Sequence, residues 1–174
     1  MQYCLIALMQ DRPGVSNRVV SLFRRRGFNI ESLSVGKSEA PGVSRMTLVV
    51  DAPDVEQVVK QLFRLIEVLK VSDVTNDPTV ERELALMKVD ASSTSRAELV
   101  AATSLFGAKI ADAGDSSVIV EMSGTSTEVE SFIEAVRPFG IKEMMRSGRI
   151  AMVRGLPAQE AVVEVYEESG IGER

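Results

Sequence analysis

The chain carries one pattern twice. Val19-Val20-Ser21-Leu22-Phe23 lines up with Ala101-Ala102-Thr103-Ser104-Leu105-Phe106, and each stretch runs on to a glycine and a further strand. A unit repeated at this spacing is one supersecondary motif used twice. In each copy an apolar strand leads into an amphipathic helix, a strand pair, a second helix and a closing strand. This β-α-β-β-α-β order defines a ferredoxin-like unit. The expected fold class is therefore α+β, with two such units in tandem. The expected divisions are residues 1–77, residues 78–156 and a tail over residues 157–174.

In the first copy, residues 2–10 read as a buried strand, because Tyr3 to Met9 are continuously apolar. Val15, Val19, Leu22 and Phe23 form a helical stripe over residues 15–26. Arg24, Arg25 and Arg26 fill the last turn, where cations suit the helix dipole, and Gly27 follows as a natural C′ residue. The second strand spans about Asn29 to Val35. Its Ile30 is out of phase with Leu33 and Val35, which predicts a bulge or an interface face. Residues 36–42 form a hairpin loop, and Val43 to Val50 alternate as a third strand. Asp51-Ala52-Pro53 marks the start of a helix with Val55, Val58, Val59, Leu62 and Phe63 on its stripe. Residues 68–74 close the unit, and Asn76-Asp77-Pro78 is a turn cluster.

In the second copy, Glu83 to Asp90 read as a strand with Leu84, Leu86 and Lys88 on one face. Ser95 and Glu98 have the spacing of a capping box for a helix ending near Gly107. Lys109–Ala113 and Val118–Met122 form a short hairpin. Ser126 or Thr127 is the expected cap of a helix carrying Val129, Phe132, Ile133 and Val136, and residues 141–145 close the unit. The second copy has Ala91-Ser92-Ser93-Thr94 where the first has its Pro-Gly loop. The two copies therefore need not share a ligand. Residues 158–168 read as a weakly amphipathic acidic helix.

Composition narrows the chemistry. The chain has no His, which removes the commonest general base and the commonest metal ligand. Its single cysteine, Cys4, lies in the first apolar strand and reads as a buried, inert thiol. The net charge of −5 argues against a nucleic-acid surface. No apolar run approaches membrane-spanning length and no signal peptide is visible, so a cytoplasmic protein is expected.

One loop stands out. Gln10-Asp11-Arg12-Pro13-Gly14 joins the first strand to the first helix. Proline suits the first helical position, and glycine lets the backbone approach a ligand. The first helical N–H groups lack internal partners and sit at the positive end of the dipole, which favours a small carboxylate. Asp11 can meet an ammonium group, and Asn29 offers both a donor and an acceptor. These groups match the backbone end of a free α-amino acid. An ordinary strand-to-helix turn has the same local sequence.

Asp11-Arg12-Pro13-Gly14, Arg26 to Leu33, Ser44-Arg45-Met46-Thr47, Val80 to Leu84 and Arg146-Ser147-Gly148 together make the chain resemble the small, regulatory subunit of acetohydroxyacid synthase (acetolactate synthase) over residues 1–155. The Pro-Gly loop alone marks the wider ACT-domain superfamily. The resemblance implies an N-terminal ACT domain that pairs with a second copy and binds valine or a related branched-chain amino acid. It implies a C-terminal ACT-like half that engages and activates the catalytic subunit. Asp11, Gly14 and Asn29 correspond to effector-binding positions, with Pro13, Val15 and Ile30 beside them. No cofactor is implied for this chain, and the catalytic partner would carry thiamine diphosphate, magnesium and FAD. Relatives carry Asn where this chain has Asp11. Three other readings compete: a free-standing tandem ACT sensor, an acyl-phosphate hydrolase using Arg12 and Asn29, and an RNA-binding module. The last lacks both a basic face and aromatic platforms.

Overall fold

Alternation and helical periodicity translate into two four-stranded antiparallel sheets, each with two helices on one face. The computed structural model describes residues 1–91 and 96–155. The first sheet has the order β2-β3-β1-β4, from β1 (Gln2–Gln10), β2 (Asn29–Lys37), β3 (Val43–Asp51) and β4 (Val68–Asp73). Helices α1 (Val15–Arg26) and α2 (Val55–Leu62) cover it. Leu5, Ala7, Met9, Met46, Leu48 and Val50 point to the helices and meet Val19, Phe23, Val58 and Leu62 in one core.

The second sheet has the order β6-β7-β5-β8, from β5 (Thr79–Asp90), β6 (Lys109–Ala113), β7 (Ser117–Gly124) and β8 (Ile141–Arg146). Ala85, Met87, Val89, Val118 and Val120 pack with Leu99, Phe132 and Ile133 of α3 (Arg96–Leu105) and α4 (Ser126–Val136). Leu84, Leu86 and Lys88 share the helix-free face, as their common spacing requires.

The bulge expected in the second strand is present. Ile30 pairs with Val50 and Ser32 with Val49, so Glu31 is the extra residue. That insertion brings Ile30 onto the same face as Leu33, where both pack against the first core.

Several local assignments need correction. Pro13 lies in the turn rather than at the first helical position, since Gly14 is the N-cap and the helix begins at Val15. Helix α2 is capped by Asp54, whose carboxylate accepts from the Glu56 amide at 2.9 Å, so its start lies beyond Asp51-Ala52-Pro53. Helix α4 is capped by Thr125, not Ser126 or Thr127. The Glu128 carboxylate accepts from the Thr125 amide in return, which completes a capping box. The Ser95 cap and the acidic helix over 158–168 lie outside the described residues.

The largest departure is in strand β5, which begins at Thr79 and not Glu83. Its first four residues pair with β9 (Ile150–Val153), in the register Thr79 with Val153 to Arg82 with Ile150. This two-stranded ribbon lies over the helix-free face of the first sheet. Cys4, Ile6, Val74 and Ala151 form a third apolar cluster there, with Val153 against it. Thr47 and Val49, on this face of β3, are buried within one chain. Covering that face internally removes apolar surface from water without a partner.

Candidate functional site

The loop after β1 is held on three sides. The Gln10 amide donates to the Glu67 carbonyl at 2.9 Å, and the Asp11 amide donates to the Gly42 carbonyl at 2.8 Å. Arg18 and Glu67 form an ion pair beneath the loop. The Asp11 carboxylate accepts from the buried Ser44 hydroxyl at 3.0 Å, which ties it to the β2–β3 hairpin.

Gly14 has φ 87°, in the left-handed region where a side chain is strained. Beyond its Cα there is open space, because a Cβ at this position would meet no atom within 4 Å. Helix α1 opens with no side-chain cap and no acidic residue in its first turn. Its first amides therefore present the positive end of a dipole to that space. Val15 is different in kind: its side chain is in the first core and anchors the helix start.

Asn29 and Ile30 lie elsewhere. Gln2 pairs with Asp51 and Asp51 with Asn29, whereas Gln10 pairs with Val43 at the other end of β1. At about 3.4 Å per residue, eight residues of strand separate the two ends by roughly 27 Å. Ile30 packs on the first core, and the Asn29 side-chain amide donates to the Glu31 carboxylate. One chain therefore brings Asp11, Pro13, Gly14 and Val15 together but leaves Asn29 and Ile30 at the far end. The same separation keeps Arg12 from Asn29, so the pair that the hydrolase reading needs is not assembled within a chain.

Edge strand β2 lies on the outside of its sheet, with Val35 43% exposed although it points to the helix side. Between this edge and the ribbon runs an open cleft of about 810 Å³, lined by Ser34, Gly36 and Arg45 on one side and Val80, Ile150 and Met152 on the other.

Sequence reasoning missed the seam between the halves. Glu83 takes an inward position on β5 and is 5% exposed. Arg146 donates to both of its carboxylate oxygens, Nε to Oε1 at 2.6 Å and Nη2 to Oε2 at 3.0 Å, and Nη1 reaches Glu130 at 2.8 Å. Hydrogen bonding from Arg146 holds the Glu83 carboxyl below its ordinary range, against the opposing effect of burial. Burial in turn pushes the Cys4 thiol upward, so it stays protonated. The signal for this seam was a glutamate in phase with Ala85, Met87 and Val89, together with the Arg146-Ser147-Gly148 stretch.

Among the described residues no helix is long and apolar enough to cross a membrane, and no cluster of three or more His, Cys, Asp or Glu could hold a metal ion.

Comparison with known proteins agrees with this architecture along its length. Residues 5–70 match the family model described as an AHAS small subunit-like ACT domain, and residues 82–155 match that of the small subunit of acetolactate synthase. A relative from Archaeoglobus fulgidus, named "Probable acetolactate synthase small subunit", is 50% identical over 157 residues, covering 89% of this chain and 98% of its own. The acetolactate synthase small subunit of Bacillus subtilis is 43% identical over 158 residues, covering 89% of this chain and 92% of its own. The crystal structure of the acetolactate synthase small subunit from Thermotoga maritima superposes with a TM-score of 0.81 at 37% identity. It covers 89% of this chain and 98% of that one. With two ACT-type units along its length and relatives of nearly equal extent, the chain belongs to the acetolactate synthase small-subunit family, the regulatory and not the catalytic chains of that enzyme.

Proposed function

We propose that this chain activates the catalytic subunit of its acetolactate synthase and makes it sensitive to feedback by a branched-chain amino acid, valine foremost. The observation that carries the reading is the uncapped start of α1 behind Gly14, with open space in front of it and Asp11 held by Ser44 in the loop that leads to it. An α-amino acid presents a carboxylate and an ammonium a short distance apart. Helix amides suit the first and Asp11 the second.

The remaining contacts come from a second copy. Two β2 edges pairing antiparallel about a two-fold axis set the Asn29 end of one strand beside the Lys37 end of the other. That second end is joined through Gly42 to the Asp11 loop. Asn29 of one copy then faces the loop of its mate, and the effector bridges them. Ile30 and the half-exposed Val35 lie on the same sheet face and supply an apolar wall for an aliphatic side chain. Feedback follows by linkage, since an effector that binds one arrangement of the pair better shifts the population toward it. Thiamine diphosphate, magnesium and FAD belong to the catalytic partner in this reading.

Reconstitution with the catalytic subunit tests it. The wild-type chain is expected to raise synthase activity and make it fall with added valine. Gly14→Asp places a side chain and a negative charge where the effector carboxylate sits. Its half-inhibitory valine concentration is expected to rise about tenfold or more, equivalent to about 1.4 kcal/mol, with activation retained. Unchanged sensitivity would remove this loop from the site, and a wild-type chain without effect on the catalytic subunit would overturn the function.

A further inference from the structure

The turn after β8 has no part in the site described above, yet it grips the strand that bears Asn29 and Ile30. The Arg149 amide donates to the Ser32 hydroxyl at 2.8 Å. Gly148, at φ 77°, sits so close to β2 that a Cβ would stand 2.8 Å from Ser32 Oγ and 3.1 Å from the Leu33 carbonyl oxygen. Only glycine fits that approach.

The same turn is bound to the second half. The Ser147 amide donates to the Leu84 carbonyl at 2.9 Å, and the Leu84 amide donates to Ser147 Oγ at 3.0 Å. The Arg149 guanidinium donates to Ser126 Oγ at 3.3 Å, at the start of α4, and reaches Glu81 of β5 at 3.4 Å. A continuous line of contacts thus runs from Ser32 through Arg149 to α4 and β5. Its neighbour Arg146 is held by buried Glu83.

Position along β2 gives this line its meaning. Ser32 is the first paired residue after the Glu31 bulge, and Ile30 is the last before it. Bulges locally interrupt the ladder and increase twist, so the strand segments on either side can shift in relation to each other. A polar cleft of about 520 Å³ lies at this point, lined by Glu31, Ser32, Glu83, Ser126, Arg146 and Arg149. It leaves room for side chains to repack.

We infer that the contact of Ser32 with Gly148 and Arg149 couples the effector site to the second half, so that occupancy at Asn29 and Ile30 is read at α4 and β5. The inference rests on the effector function proposed above. Coupling requires a contact whose free energy differs between two arrangements, and it is reciprocal: valine changes the state of the holoenzyme, and assembly changes valine affinity.

The test uses the full chain with valine as probe, in two measurements. Calorimetry gives valine affinity for the chain alone and for the holoenzyme, and synthase activity gives the residual rate at saturating valine. Ser32→Ala removes the acceptor, and Arg149→Lys keeps the amide bond but loses the reach to Ser126. Both variants are expected to bind valine alone within about threefold of wild type and to activate the catalytic subunit without valine. Their residual activity at saturation is expected to rise about threefold or more, and their two valine affinities to converge. Ser32→Thr keeps the hydroxyl and is expected to keep full inhibition.

Full inhibition in both Ser32→Ala and Arg149→Lys would overturn the coupling and leave the effector site standing. Loss of valine binding by the isolated Ser32→Ala chain would also overturn it, by making Ser32 part of the effector site or the fold. A wild-type chain that binds no valine would overturn the effector function, and the coupling with it.

Discussion

Glu83 and Arg146 form a two-pronged pair with one partner nearly sealed from water. Such a pair couples stability to pH. The folded Glu83 carboxyl ionises below its ordinary value of 4.5, chiefly because Arg146 donates to the charged form. A carboxyl lowered in the fold contributes stability that is present above the unfolded value and lost as pH falls through the folded one. Glu83→Gln is expected to lower stability by about 2–3 kcal/mol at pH 7, where hydrogen bonds to a charged group are lost. The gap from wild type should close as pH drops below 4.5. Urea unfolding of both proteins at about pH 7 and about pH 3.5 checks this, and a gap of constant size would contradict it. At this scale the sequence carries a physical reason for Gly14, whereas for Gly148 it offers only the Arg146-Ser147-Gly148 stretch without a local reason for the glycine. A glycine after proline at a helix start has local meaning. The need for Gly148 arises from β2, more than a hundred residues away in the chain.

Most elements were legible because each has its own period. The stripes of α1, α2 and α4 and the alternation of β3 emerged with boundaries near those observed. Even the Glu31 bulge showed in the phase of Ile30. The ribbon of β5 and β9 did not show. Val80-Glu81-Arg82 is mostly charged, Ile150–Val153 is a very short strand, and the two pair across some seventy residues. Nothing local marks such a pairing. Strand β2 is the element on which the proposed pairing of two copies rests, since sheet edges invite pairing. Val35 is half-exposed there, so Val35→Lys should leave the fold of one chain intact. A two-fold interface presents each substituted residue twice, which sets like charges against apolar contacts. The variant is expected to sediment as a monomer at micromolar concentration and to lose valine inhibition. A Val35→Lys protein that remains dimeric would move the interface away from β2.

At the scale of the molecule, each sheet of one chain has its own core, whereas the proposed effector site draws on two copies. The ribbon covers the helix-free face of the first sheet, with Ala151 and Val153 over Cys4 and Ile6. Edge strand β2 stays open, and the proposed effector residues stand at opposite ends of the sheet. The central claim is that each site takes its loop from one copy and Asn29 from the other. Mixing two defective variants tests it most directly. Gly14→Asp spoils every loop of its own dimer, and Asn29→Ala spoils every opposing contact. Neither should show a site of wild-type valine affinity in a calorimetric titration. After subunit exchange, a mixed dimer joins the intact loop of the Asn29→Ala copy to the intact Asn29 of the Gly14→Asp copy. With half the dimers mixed and one good site in each, about a quarter of the wild-type valine sites should return. Recovery of that fraction at wild-type affinity is the predicted result, and a mixture that binds no more valine than its parents would contradict a site shared between two copies.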